Sequence, residues 1–230
     1  MHPTDYPTGW DHPATRSAWI QHMGMIVGRL AGWSAVWFGS LFLIVATPVW
    51  IAWIFLPILV YAGFRALVQV FYFPWSMNIQ RVLAQYPWQL LSDVPHGRDK
   101  HPQADKDEMW FEFSNPEEPN ERIPLLFLSQ MRTYWWMRRF GTSRTKPELK
   151  AEIEPLWFAG DPRFYSVIAA PGRGGQAPKR LHFLYQRSAR RSWKGDVITW
   201  DASPAALECA RRAGARVPDR TVPPQPRPNS

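Results

Sequence analysis

The sequence predicts an α+β protein: a two-helix transmembrane hairpin, then a small β-rich cytoplasmic domain with a curled or barrel-like sheet and a C-terminal helix. Three observations predict it. The 35 residues from Leu30 to Phe64 carry no charged side chain, and apolar runs of about 18 residues or more read as membrane-spanning. From residue 89 onward, short apolar runs recur between Pro, Gly, Asp or Asn, which is the pattern of strands. Asp201-Ala202-Ser203-Pro204 then opens a late helix, with Ser203 as cap and Pro204 at the first helical position.

Residues 1–25 form the N-terminal, juxtamembrane segment. Its start holds Pro3, Pro7, Gly9 and Pro13, so residues 1–15 are expected to be poorly ordered. Residues 26–73 form the hairpin. A bilayer core of roughly 30 Å needs about 20 helical residues, so this segment holds two spans, near 27–46 and 49–72. Thr47-Pro48 is the corner, because proline removes a backbone donor and disfavours helix at the preceding residue. Pro57 falls inside the second span, where membrane helices tolerate it. Trp and Tyr gather at membrane–water interfaces, which marks Trp33, Trp50, Trp53, Tyr72 and Trp75 as interface residues.

Orientation follows from the basic residues. The corner has none, whereas Arg29, Arg65 and Arg81 lie toward the other face. The positive-inside rule then puts both termini in the cytoplasm, at the cell (inner or plasma) membrane. Arg29 and Arg65 are expected near the inner interface, reaching out to headgroups.

Residues 74–88 read as an amphipathic connector helix opened by Ser76 and stopped by Pro87. The β-rich domain spans 89–216. Its strand candidates are 88–94, 109–114, 123–129, 156–158, 165–170, 181–186 and 197–200. Residues 96–108 and 115–120 read as charged loops, and Pro171 to Gly175 as a hairpin tip. Leu207, Cys209 and Ala210 of the late helix are expected to face the core, and Gly214 to end it. Residues 217–230 hold five prolines and read as a disordered tail.

Residues 66–230 carry 24 Lys and Arg against 17 Asp and Glu, a net of +7. A basic domain tethered to an inner leaflet is drawn to anionic headgroups. Tyr134 to Phe140 interleaves aromatics with arginines. As a strand it would bury one aromatic face and solvate the arginines. As a contact surface it would offer Trp135, Trp136, Arg138 and Arg139, with Arg132, to lipid or a partner. Nucleic acid is the weaker reading of the same residues. The single cysteine, Cys209, excludes an internal disulfide and a cysteine-based zinc site. Glu117, Glu118 and Glu121 lack calcium-loop spacing and read as a solvated loop. No nucleophile elbow, paired acid or phosphate-loop ending is present. The expectation is therefore no catalytic, cofactor or metal site.

Two stretches are distinctive: Val82-Leu83-Ala84-Gln85-Tyr86-Pro87-Trp88, and Trp157-Phe158-Ala159-Gly160-Asp161-Pro162-Arg163-Phe164 with Val167 to Gly172 after it. Together they resemble two-pass membrane proteins of actinobacteria to which no activity is assigned. The resemblance covers roughly residues 25–190. It implies two spans and a cytoplasmic β-rich domain, and it carries over no catalytic residue. Gly160-Asp161-Pro162 reads physically as a tight turn in which Asp161 caps its own backbone. The reading is a membrane-anchored interaction module that is not an enzyme. Its partners would be the bilayer, an unidentified protein and, in a homo-oligomer, further copies. The alternative is an oligomeric channel or transport-complex component.

Overall fold

The structure is a computed structural model that describes residues 2–98, 109–127, 134–140, 148–149, 152–171, 177–190, 194–199 and 201–218. It divides into two compact units, one of residues 17–77 and one of residues 1–16 with 78–230.

The first unit is a helical hairpin. Helix α1 runs Pro13–Ala46 and helix α2 runs Val49–Leu83, so the break falls at Thr47-Pro48 as the proline requires. Both are long and apolar enough to cross a membrane. At 1.5 Å per residue each is about 50 Å long, well beyond one span. No separate connector helix exists, because α2 continues through Pro57 and Pro74. The two helices meet where tryptophans of α1 reach α2. A Cβ on Gly63 would lie 3.0 Å from Trp37 Nε1, and Trp19 Nε1 donates to the Ser76 carbonyl at 2.9 Å. Ile26, Ala62 and Gln69 are buried, while most apolar side chains of both helices face outward.

The second unit is built on one seven-stranded antiparallel sheet of order β1-β5-β6-β7-β4-β3-β2. The strands are β1 Gln89–Leu91, β2 His96–Arg98, β3 Met109–Ser114, β4 Arg122–Phe127, β5 Leu156–Gly160, β6 Tyr165–Pro171 and β7 Pro178–Tyr185. Strands β1 and β2 occupy opposite edges, yet only residues 92–95 join them. In a flat sheet of seven strands the edges would stand roughly 29 Å apart. The connection can reach about 18 Å. The sheet is therefore curled, which brings its two edges toward each other. At that seam, Leu91, Val94, His96, Phe111, Ile153 and Leu156 line a cavity of about 10 Å³, room for one water.

Register places the core. Phe111 pairs with Leu125 and Phe113 with Ile123, so all four share one face. Phe111, Phe113 and Leu125 pack with Phe127, Leu156, Phe158, Ile168, Ala170 and Leu184. Helix α3, Tyr134–Phe140, closes this face with buried Trp136, and His182 stacks on Phe127 with ring centres 3.9 Å apart. On the other face, Trp157 meets the Trp88 and His2 rings.

The N-terminal residues are ordered, contrary to their composition. Gly9 N–H donates to the Tyr86 carbonyl at 2.8 Å and Trp10 N–H to that of Leu83 at 2.9 Å. A Cβ on Gly9 would lie 3.0 Å from Leu83 Cδ2, so glycine permits this close approach. Trp88 Nε1 donates to Thr15 Oγ1 at 3.0 Å, and Thr15 Oγ1 lies 3.1 Å from His12 Nδ1. An indole N–H only donates, so the threonine hydroxyl accepts from Trp88. Burial, the N-terminal charge and His2 all lower the pKa of His12.

Several expected elements differ. Residues 134–140 are helical, not a strand: the consecutive residues Trp135 and Trp136 both pack on the same core, whereas strand alternation would send them to opposite faces. Residues 96–98, expected in a charged loop, form the β2 edge, and residues 197–199 form no strand. The tip at 172–175 and the tail beyond 218 lie outside the described residues. Helix α4, Pro204–Arg212, is capped as expected: Ser203 Oγ accepts from Ala206 N–H, and Ala210 is buried. Gly214 follows with φ of +92°.

Truncating Phe113, 3% exposed within this core, should cost about 3–5 kcal/mol. Glu112, facing away on the same strand, should tolerate alanine with little loss. Thermal unfolding of the two purified full-length variants in one detergent checks this; equal losses would contradict the register.

Candidate functional site

The sequence offers two groups of candidate residues, and the structure adds a third. In the hairpin, Trp50 and Trp53 lie just past the corner and are 70% and 69% exposed. Tyr72 and Trp75 are half-buried, and Arg29 is exposed on α1. Arg29 and Arg65 each stand about 25 Å along their helices from the corner. Arg65 does not extend away from the hairpin. Its guanidinium lies 5.4 Å from the Trp33 ring centre and 5.8 Å from that of Tyr61, and Trp33 and Tyr61 meet edge to face. Helical side chains lean toward the helix N-terminus, which carries Arg65 back over Tyr61 one turn earlier. The aromatic faces then hold the cation.

The second group is the set offered for contact. Arg132 lies outside the described residues. Trp136 is 3% exposed among Phe127 and its neighbours, so it belongs to the core and presents no surface. Trp135 is half-buried and remains available at its rim. Arg138 is exposed. Arg139 donates to Glu152 Oε2 at 2.7 Å, and its guanidinium lies 3.9 Å from the Trp135 ring centre.

The third group centres on the Gly160-Asp161-Pro162 turn. Asp161 N–H donates to the Tyr165 carbonyl at 3.1 Å, and Phe164 N–H to that of Asp161 at 3.0 Å. Asp161 Oδ1 accepts from Arg163 N–H at 2.9 Å, closing the turn as the sequence suggests. Gly160 has φ of +129°, and a Cβ there would lie 2.5 Å from the Tyr165 carbonyl oxygen, so only glycine fits. The turn then buries Arg163, which is 1% exposed. Its Nε and Nη2 donate to Asp161 at 2.9 and 2.7 Å. Its Nη1 lies 3.0 Å from Glu117 Oε2, an ion pair whose angle is too poor for a hydrogen bond.

Glu117 links this turn to α4. Its two carboxylate oxygens accept from Ser203 N–H at 3.1 and 3.0 Å. The Ser203 hydrogen bond first, with the Arg163 guanidinium adding to it, pulls its pKa down to about 2 against the opposing effect of burial. Burial works against the charged form of Arg163, but Asp161 and Glu117 outweigh it and raise its pKa. Tyr86 ends the set: burial first, then the Asp161 charge, push its phenol up. These groups form a clamp between the β5–β6 turn, the loop before β4 and the cap of α4. Glu117, expected to be solvated, is part of it. Its partner is 46 residues away, beyond any local signal.

The clamp is fully engaged in holding loops and offers no reacting centre. Among the described residues no group of three or more His, Cys, Asp or Glu side chains is placed to hold a metal. No known protein family, curated protein or solved structure matches the chain.

Removing the Asp161 charge should cost about 3–5 kcal/mol, because Arg163 stays buried without its main partner. Asp161→Asn unfolding measured against the parent chain checks this. Glu117 is more acidic folded than unfolded, so the unfolded chain binds more protons as pH falls from about 4.5 to 2. Stability should decline through that window, and Glu117→Gln should flatten the decline.

Proposed function

We propose that this chain is an integral membrane protein that anchors a basic, β-rich interaction module at the cytoplasmic face of the cell membrane, without catalysis of its own. The observation that carries this reading is where the exposed apolar surface lies. Among the described residues, every exposed large apolar side chain except Leu90 and Ile198 belongs to α1, α2 or their corner. A monomeric soluble protein rarely exposes so much contiguous apolar surface, and a bilayer covers it. Arg29 and Arg65, about 25 Å from the corner, then fall near the boundary of a roughly 30 Å core on the side of the termini. The positive-inside rule makes that side cytoplasmic.

The module itself supports binding more than chemistry. Its seam cavity has room for about one water, and its buried ionic groups are spent on one another. Tethering raises the local concentration of whatever the module binds and needs no chemistry. The likeness to two-pass actinobacterial proteins points the same way. The channel reading is disfavoured by the polar groups it would need. Ser40 Oγ donates to the Val36 carbonyl at 2.8 Å and Thr47 Oγ1 to that of Leu43 at 2.7 Å. Both hydroxyls are turned back onto their own helix.

Cys209, half-exposed on α4, reports the topology. A membrane-impermeant maleimide should leave it unlabelled in intact spheroplasts and label it after lysis. Labelling before lysis would place α4 outside and reject the cytoplasmic assignment.

A further inference from the structure

Three stretches far apart in the sequence bring their cations to the C-terminal end of α4. Arg81, near the end of α2, lies against Gly214: a Cβ on that glycine would stand 3.3 Å from Arg81 Nη1 and 3.5 Å from its Cδ. Two residues on, Arg216 N–H donates to the Ala189 carbonyl at 2.8 Å, which sets Arg190 beside it. Arg216 Nη1 donates to the Gly195 carbonyl at 3.0 Å, which brings in Lys194. Arg211 and Arg212 close α4 just before Gly214. Arg81, Arg190, Lys194, Arg211 and Arg212 are all exposed. Among the described residues of 78–83, 187–196 and 208–216, seven are Lys or Arg and two, Asp196 and Glu208, are acidic.

We propose that this basic surface docks an acidic segment of a partner protein. The attraction is that of the summed field and not of a grip by any one side chain. Charge of one sign gathered on one surface speeds encounter with an oppositely charged partner and sets its orientation. Carboxylates are the match because Glu208 already supplies one. It accepts from Arg211 Nη1 at 2.6 Å and from Arg212 Nε at 3.3 Å, so two guanidiniums converge on a single carboxylate. Asp and Glu side chains of the partner would repeat that pairing at Arg81, Arg190 and Lys194, where the cations outnumber the acids.

The inference rests on the reading of the second unit as an interaction module and gives that module a class of partner. The test needs no bilayer, so its failure leaves the membrane anchor standing. The full-length chain in micelles of an uncharged detergent is titrated with a fluorescent oligoglutamate peptide, and binding is read by anisotropy. Affinity should fall as salt rises, since screening shortens to about 8 Å at physiological ionic strength. Arg211→Gln with Arg212→Gln should weaken binding about fivefold or more, the loss expected of two exposed ion pairs. Arg190→Glu should weaken it as well, and it decides alone should the first pair disturb α4. Lys179→Gln with Arg138→Gln removes the same charge elsewhere and should leave binding unchanged. Lys179 stands roughly 20 Å along β7 from Tyr185, the residue that Arg190 overlies, and Arg138 lies on α3, whose Trp135 meets Arg180 next to Lys179. No binding of the peptide, or equal losses from the two double variants, overturns the proposal. So does tighter binding, with the same variant pattern, of an oligothymidylate or of short-chain phosphatidylglycerol, which would give the surface to nucleic acid or to headgroups.

Discussion

Phe38, Phe42, Val45, Val49, Trp50 and Trp53 leave most of their surface uncovered by the rest of the chain, and water is a poor solvent for all of them. Among the described residues, 21 large apolar side chains are exposed along α1, the corner and α2. Leaving each in water forgoes roughly 1.5–3 kcal/mol relative to burial. The sum runs to tens of kcal/mol, more than the roughly 5–15 kcal/mol that holds an ordinary domain together. Another medium has to cover this surface, and the helix is the conformation that medium tolerates, since every backbone donor and acceptor is satisfied within the segment. The polar residues of the hairpin obey the same constraint. Ser40 and Thr47 return their hydroxyls to the helix, and Arg65 is wrapped by aromatic faces.

The second unit solves a different problem with local means. Its sheet curls because a four-residue connection joins opposite edges, and curling shelters a cluster that includes Phe111, Phe113, Phe127 and Phe158. Loops are tied down by charge where apolar contact is thin. One buried arginine draws together a turn, a loop and a helix cap through Asp161 and Glu117. Such an arrangement contributes less net stability than its short distances suggest, because each charge gives up its hydration. It fixes which loops meet, and breaking it is costly.

What was legible in the sequence was local. The helix break at Thr47-Pro48, the alternation of Phe111 and Phe113, the Gly160-Asp161 turn and the Ser203 cap each have a cause within a few residues, and each is found where that cause puts it. What was hidden was set by distant partners. Residues 134–140 carry the aromatics of a strand but are helical, since Trp136 seals a core made by strands on both sides of it in sequence. The N-terminal segment has the prolines of a disordered tail, yet Gly9 and Trp10 find carbonyls at Tyr86 and Leu83. β2 hid behind polar residues because an edge strand contributes little to the core. The basic surface beside α4 gave no signal at all. Only the packing of Arg81 on Gly214 and the bond from Arg216 to Ala189 bring its three stretches together.

The central claim is that α1 and α2 lie within a bilayer. Native membranes washed with alkaline carbonate release proteins held by charge or by peripheral contacts, and retain those with spanning helices. The full-length chain should stay in the membrane pellet after that wash and enter solution only with detergent. Its recovery in the carbonate supernatant would contradict the account, because the exposed apolar surface of both helices would then be covered by something other than lipid.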